Sequence, residues 1–206
     1  MLTRKTEPDP AERLNSLLCP LVKQWFDSRF PSYSLPQLYA VSEIHSRKNV
    51  IVSAPTGATK TLTAFMAVLN EVVDSAQKGK LQDKVYAIYI SPLKALNEDI
   101  RVNLQEPLAQ MEAIYGKELG IRVAVRTGDT TPKEKAAMLK RPPHILITTP
   151  ESLAILLSSI KFRELFTDVS WVIIDEIHAL AENKRGVHLS LSLERLGHLA
   201  KHVSRV

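Results

Sequence analysis

A second cysteine is the first thing this chain lacks. Among its 206 residues only Cys19 carries a thiol, which rules out an internal disulfide framework and suits a reducing compartment. No apolar run approaches the roughly 20 residues that a membrane-spanning helix needs. The opening MLTRKTEPDP has no apolar stretch of the signal-peptide kind, so the expectation is an intracellular, cytoplasmic protein with no membrane partner. Internal repeats and low-complexity tracts are missing too. The last absence is a single glycine. SAPTGATKTLTAF, residues 53–65, follows the phosphate-loop pattern of a small residue, four variable positions and Gly-Lys-Thr, but Thr59 stands where that glycine belongs.

What is present fits a soluble globular fold, with 45% hydrophobic and 24% charged residues. The length suits one large domain or one lobe of a larger protein. A formal charge of +5 permits an anionic partner without requiring one.

After a polar, proline-bearing arm of about ten residues, PAERLNSLLCPLVKQWFDSRF carries apolar residues at helical spacing, and Pro20 breaks it into two short helices. PQLYAVSEIHSRKN predicts a third helix that starts near Pro36. Five short apolar runs follow: NVIVSA (49–54), VYAIYIS (85–91), IRVAVRT (121–127), HILITT (144–149) and WVIIDE (171–176). Helical stretches follow the first four, and SAQKGKLQDK (75–84) reads as a surface loop. IVS and VII are apolar enough for strands buried on both faces. Strand and helix alternating in this way predict an α/β fold with a mostly parallel central sheet and helices on both faces. Ligands bind such sheets at the carboxyl ends of the strands, which is where the polar residues of this sequence cluster.

The opening motif sits between an expected strand and an expected helix, the context a phosphate loop needs. Ala54 and Pro55 lead in, and the amides of Thr56, Gly57, Ala58, Thr59, Lys60 and Thr61 can wrap a β-phosphate at the helix N-terminus. Lys60 can neutralise the β- and γ-phosphates of ATP, and the Thr61 hydroxyl can coordinate Mg²⁺. An ordinary strand–turn–helix with an exposed lysine has the same pattern, so both readings stand at this point. WVIIDEIH places Asp175 and Glu176 at a strand end, where one carboxylate can hold Mg²⁺ through water and the other can polarise an attacking water. The bland alternative is a pair of acids at a helix start. His178 can couple such a site to a second lobe, although a lone histidine is more often structural.

APTGATKT, SPLKALNEDI, TGD, TTPESL and DEIH, in this order, resemble the first motor lobe of superfamily 2 helicases. The wider match, through RPPHILITTPESLAILLSS and WVIIDEIHALAENKRGVHLSLSLERL, is similar to the Lhr (large helicase-related) family and runs from about residue 30 onward. The resemblance implies a RecA-like P-loop domain over residues 30–206, behind a helical extension over 1–29. It also implies that the segments after the second to fourth core strands grip one DNA strand through its backbone. These are Pro92, Lys94, Ala95, Leu96 and Asn97; Thr127, Gly128 and Asp129; and Thr149, Pro150, Glu151 and Ser152. Small hydroxyls, glycine amides and helix N-termini hold phosphates without reading bases. Thr-Pro-Glu-Ser is equally a helix cap with proline at the first position, and the two roles are compatible. RFPSYSLPQLYA resembles the adenine-recognition segment, with Gln37 bonding the base and Phe30 or Tyr33 packing near it; a helix-capping loop explains it nearly as well.

The resemblance further implies a second lobe with arginine fingers, for which this chain holds no candidate, and a strand ending in Ser-Ala-Thr beyond KHVSRV. The expectation is therefore an excised first lobe or truncated gene product that binds ATP·Mg²⁺ and part of a DNA strand, with hydrolysis requiring the other half. Thr59 favours the alternative of a non-catalytic nucleic-acid-binding module derived from a motor. An RNA helicase lobe is the third reading, because backbone contacts alone discriminate weakly.

Overall fold

Five short strands pair into one sheet, parallel throughout, in a computed structural model that describes residues 3–55, 59–92, 100–181, 183–200 and 202–206. They are β1 (Ala87–Ile90), β2 (Val123–Arg126), β3 (Ile145–Thr148), β4 (Trp171–Ile174) and β5 (Ser204–Arg205). Their order is β2-β3-β1-β4-β5. Central β1 aligns Ile88 with Leu146 of β3 and with Val172 of β4. Every residue of β1 and β3 is buried, as continuous apolar runs predict.

Four expected strands form where the runs place them. The exception is NVIVSA: residues 49–54 form no strand, and Ile51 is 73% exposed. IVS is as apolar as the VII of β4, but a strand also needs a neighbour's edge for its N–H and C=O groups. The fifth strand is instead β5, which pairs parallel with β4 in a segment that carries no strand-like run. The expected surface loop is also shorter than 75–84, because the preceding helix continues to Gln77 and is stopped by Gly79 at φ 64°.

The chain divides into two compact units, each with its own core. The sheet unit takes in the described residues of 81–97 and 121–205. It holds α6 (Pro132–Lys140), α7 (Pro150–Ser158), α8 (Ile160–Arg163), α9 (His178–Ala181) and α10 (Lys184–Leu199). Leu153, Leu156 and Leu157 of α7 meet Leu189 and Leu196 of α10 in one cluster with Ile88, Ile90 and Val172 of the sheet.

The helical unit takes in the described residues of 1–80 and 98–120, together with Val206. Its helices are α1 (Ala11–Leu17), α2 (Pro20–Arg29), α3 (Leu35–His45), α4 (Lys60–Gln77) and α5 (Glu106–Tyr115), the last preceded by a π turn at Arg101–Gln105. Pro20 opens α2 and separates it from α1, as expected. Asn70 of α4 bridges that break, accepting from the Cys19 N–H at 2.6 Å and donating to the Leu17 carbonyl at 3.0 Å. The N-terminal arm is docked: buried Asp9 accepts from Lys5, Arg13 and Ser42, and its own N–H donates to the Leu38 carbonyl. Burial pushes the Asp9 carboxyl up, but those hydrogen bonds and cations outweigh it and hold the carboxyl below its ordinary range.

Candidate functional site

Because the strands are all parallel, the turns after β1, β2, β3 and β4 share one edge of the sheet. Of the residues expected to grip a strand, Pro92, Thr127, Gly128, Asp129, Thr149, Pro150, Glu151 and Ser152 follow β1, β2 and β3 there, with Asp175 and Glu176 after β4. Lys94, Ala95, Leu96 and Asn97 lie outside the described residues.

Asp175 is fixed from two sides. Its Oδ2 accepts from the Tyr89 hydroxyl of β1, and its Oδ1 accepts from the Glu176 N–H at 2.8 Å. A carboxylate fixed in this way is of the ligand type that hard cations take. Glu176 turns the chain at φ 51°, a left-handed conformation that costs most residues energy. Its Oε2 lies 3.1 Å from His178 Nε2, and the imidazole is 81% exposed. Among the described residues no cluster of three His, Cys, Asp or Glu side chains is placed to hold a metal. Mg²⁺ needs no such cage, since it takes one or two carboxylates alongside phosphate oxygens and waters.

After β2, the Thr127 N–H donates to Thr130 Oγ at 2.9 Å and the Thr130 N–H returns to the Thr127 carbonyl, making a tight turn. Gly128 and Asp129 are exposed on it, and a Cβ added to Gly128 would meet no atom within 4 Å. Space inside the fold therefore does not demand that glycine. Arg126 lies beneath the turn, buried, donating to the Thr127 carbonyl, with its Nε unpartnered among the described residues and its pKa lowered by burial. Sequence reasoning passed over Arg126; a cation ending a buried strand was the available signal.

After β3, Thr149 caps α7, its Oγ accepting from the Ser152 N–H at 3.3 Å with Pro150 opening the helix. The expected cap is present. Glu151 points to Arg185 of α10, a residue the sequence reading also missed. Arg185 Nε donates to Glu151 Oε1 at 2.6 Å, and Nη2 donates to the Pro92 carbonyl at 3.0 Å. That hydrogen bond holds the Glu151 carboxyl below the usual carboxylate range.

In the helical unit, Thr56, Gly57 and Ala58 lie outside the described residues, while Ala54, Pro55, Thr59, Lys60 and Thr61 are described. Thr59 precedes the 18-residue α4 at φ 58°, ψ 24°. A β-branched side chain at positive φ is a steric outlier, because its γ atoms crowd the adjacent carbonyl. The Thr59 carbonyl accepts from the N–H and the hydroxyl of Thr63, and its Oγ lies 2.7 Å from Ser34 Oγ. Lys60 Nζ folds back onto the loop's own carbonyls, Ala54 at 2.8 Å and Pro55 at 3.1 Å. Thr61 is in the first turn of α4, where the helix dipole favours an anion.

Gln37 is 1% exposed. Its Oε1 caps α3 by accepting from the Ser34 N–H at 2.8 Å, whereas its Nε2 is buried without a partner among the described residues. The cap and a second, buried donor thus coexist on one side chain. Phe30 and Tyr33 both pack on Phe26, with ring centroids 4.9 and 4.4 Å away, and Tyr33 donates to Asn15 Oδ1. Burial pushes Tyr33 up to about 12, so it stays a neutral phenol.

A family model described as DEAD/DEAH box helicase matches residues 34–205. The ATP-dependent helicase Lhr-Core of Methanothermobacter thermautotrophicus is 53% identical over 209 residues, a match that covers 100% of this chain and 24% of that protein. The Lhr helicase/uracil glycosylase of Escherichia coli is 41% identical over 199 residues, covering 92% of this chain and 13% of that one. Among solved structures, the Mycobacterium smegmatis helicase Lhr bound to ssDNA and AMP-PNP is similar at TM-score 0.82 and 39% identity, over 96% of this chain and 25% of that chain. This chain thus spans about a quarter or less of these relatives. With its parallel sheet, its motif order and a family match over most of its length, the chain belongs to the DEAD/DEAH box helicases and is similar to their Lhr members.

Proposed function

We propose that residues 30–206 form the first RecA-like lobe of an ATP-dependent helicase or translocase, with residues 1–29 as a helical extension, and that this lobe binds ATP·Mg²⁺ and the backbone of one DNA strand. The observation that supports it best is the shared carboxyl edge of β1 to β4, where the Thr127-Gly128-Asp129 turn and the Thr149-capped helix start stand on the same edge as the Asp175-Glu176 pair. In this reading Lys60 neutralises the triphosphate and Gln37 Nε2 donates to the base. Thr61 in the helical unit and Asp175 in the sheet unit are each read as an oxygen that would ligate magnesium, whose chemistry when bound is to neutralise phosphate charge. Glu176 polarises the attacking water, and the neighbouring His178 imidazole holds that carboxylate's orientation. Hydrolysis then needs a further lobe to supply arginine to the transition state, a contribution of about 10³–10⁵ in rate.

Gripping phosphates alone implies binding that is indifferent to sequence and steeply salt-dependent. Anisotropy titrations with labelled oligo-dT and mixed-sequence strands at three salt concentrations test this. Affinity that falls with salt and ignores sequence supports the reading, while a flat salt dependence or a marked sequence preference overturns it. The left-handed Thr59 favours a second reading, a nucleic-acid-binding module that does not use ATP. Calorimetry with ATP·Mg²⁺ separates the two, because only the first predicts heat of binding.

A further inference from the structure

The sheet unit holds one arginine that no motif reading singled out and that touches two of the turns on its carboxyl edge. Arg185 Nε and Nη2 address both oxygens of Glu151, at 2.6 and 3.3 Å, and Nη2 also donates to the Pro92 carbonyl at 3.0 Å. The guanidinium thereby ties the turn after β1 to the first turn of α7, segments 59 residues apart in sequence by number (151 − 92). A planar fork suits that task, since its donors are fixed relative to one another.

The base of that fork is itself anchored. Asn183 caps α10, its Oδ1 accepting from the N–H groups of Arg185 and Gly186 at 2.9 and 3.3 Å, while its Nδ2 donates to the Ala179 carbonyl of α9 at 2.7 Å. Gly186 leaves no room for a side chain, because a Cβ there would sit 2.1 Å from the Leu180 carbonyl oxygen. Arg185 therefore springs from a helix start clamped to α9, the element that follows Glu176 and begins with His178. Its side chain is 42% exposed and that of Glu151 is 50% exposed, so the pair contributes little to fold stability. Core leucines already hold the body of α7, and Arg195 Nη2 donates to the Leu157 carbonyl near its far end.

We propose that Arg185 is a positioning residue for nucleic-acid binding: by joining Glu151 to the Pro92 carbonyl beyond β1 it holds the first turn of α7 in place, so that the N-terminus of α7 meets a phosphate of the strand. This rests on the strand-gripping reading above. The rival role for an exposed arginine beside such an edge is direct contact with phosphate, and the two roles differ in sign. If Arg185 simply attracts the strand, Glu151→Ala removes an opposing charge and tightens binding. If the pair positions the turns, Glu151→Ala weakens binding even though it makes the surface more positive.

The experiment is a double-mutant cycle on this chain with labelled oligo-dT at low salt, using Arg185→Ala, Glu151→Ala and the double variant. Each single change is expected to weaken binding roughly threefold to tenfold, and the double variant is expected to be no weaker than the worse single. Arg185→Lys keeps the charge but not the fork, so it is expected to bind like Arg185→Ala. Melting temperatures are expected to stay within about 3 °C of the parent. Tighter binding by Glu151→Ala, full retention by Arg185→Lys, or additive losses would overturn the proposal. Hydrogen exchange without nucleic acid gives a readout independent of strand binding. The amides of Ser91 and Ser152 are expected to exchange faster in Arg185→Ala, and unchanged rates at both would overturn the positioning role. Failure of the parent chain to bind any strand, with exchange at those amides still accelerated, would instead count against the strand-gripping reading.

Discussion

Among the described helices three follow a threonine, Thr59, Thr131 and Thr149, and the first and last of these do opposite things. Thr149 enters α7 in extended conformation, φ −102° and ψ 161°, and its hydroxyl accepts from the helix's own first turn. Thr59 enters α4 left-handed at φ 58°, makes no side-chain cap, and turns its hydroxyl to Ser34. The first arrangement is a low-energy helix start. The second carries strain on the order of 1–3 kcal/mol, of a kind that persists only where the surroundings over-determine the backbone. What sets the role of the residue is the backbone it sits on, not its identity. A start that is capped gains stability, whereas Thr59 gives α4 strain and no side-chain cap.

The largest expected effect is where the sheet unit departs from its satisfied side of this comparison. His144 is buried, its Nδ1 accepts from the Arg122 N–H, and its Nε2 has no partner among the described residues. Burial first, then the nearby Arg122, pull its pKa from 6.5 down to about 4. The folded state therefore holds the neutral ring while the unfolded chain takes up a proton below pH 6.5. Stability is full above that pH and falls as pH drops toward 4, by up to roughly 3 kcal/mol. Urea unfolding at pH 7.5 and pH 5 is expected to show a loss of about 2 kcal/mol, largely absent in His144→Gln. A flat profile for the parent would mean the sheet unit carries no such weak point.

Next in size is Lys60. Removing a charge-assisted contact to phosphate costs about 1.5–3 kcal/mol, so Lys60→Ala is expected to weaken ATP·Mg²⁺ binding about 10- to 100-fold in calorimetry. Unchanged affinity would take the nucleotide away from the start of α4. Thr59→Gly addresses the strain itself. Glycine adopts φ 58° freely but loses more chain entropy on folding, so ATP·Mg²⁺ affinity is expected to rise about tenfold with little change in melting temperature. Equal affinities would show that the threonine's conformation is harmless. The smallest effect belongs to the ordinary cap: Thr149→Ala is expected to cost about 1 kcal/mol of unfolding free energy. Were that substitution neutral, the contrast between the two helix starts would lose its satisfied member.

Much of this molecule was legible along the chain because it depends on local rules. Four runs of β-branched and apolar residues became β1 to β4, Pro20 became a helix break, and Thr-Pro-Glu-Ser became a cap. Each rests on φ restriction, burial or a side chain reaching three residues ahead, and such distances are encoded in spacing. The steric worry over Thr59 was legible for the same reason, since a turn that usually takes glycine signals a positive φ.

The rest required partners that spacing does not name. NVIVSA has the composition of a buried strand and forms none, whereas Ser204–Arg205 pairs with β4 from a segment with no apolar signature. A ladder is a contract between two edges, and a single segment carries only one of them. Arg185 stayed hidden because its three acceptors lie at positions 92 and 151, brought within 3.3 Å by the fold alone. Gln37 was visible as a cap and as a donor, but only burial, at 1% exposure, leaves its Nε2 without a partner among the described residues. The sequence by itself determined which elements form and which residues carry charge, hydroxyls and apolar bulk, because those follow from neighbours within a few positions. Tertiary structure alone decided which strands pair, which arginine meets which carboxylate and which polar atom loses its water, because those depend on residues far apart in the chain.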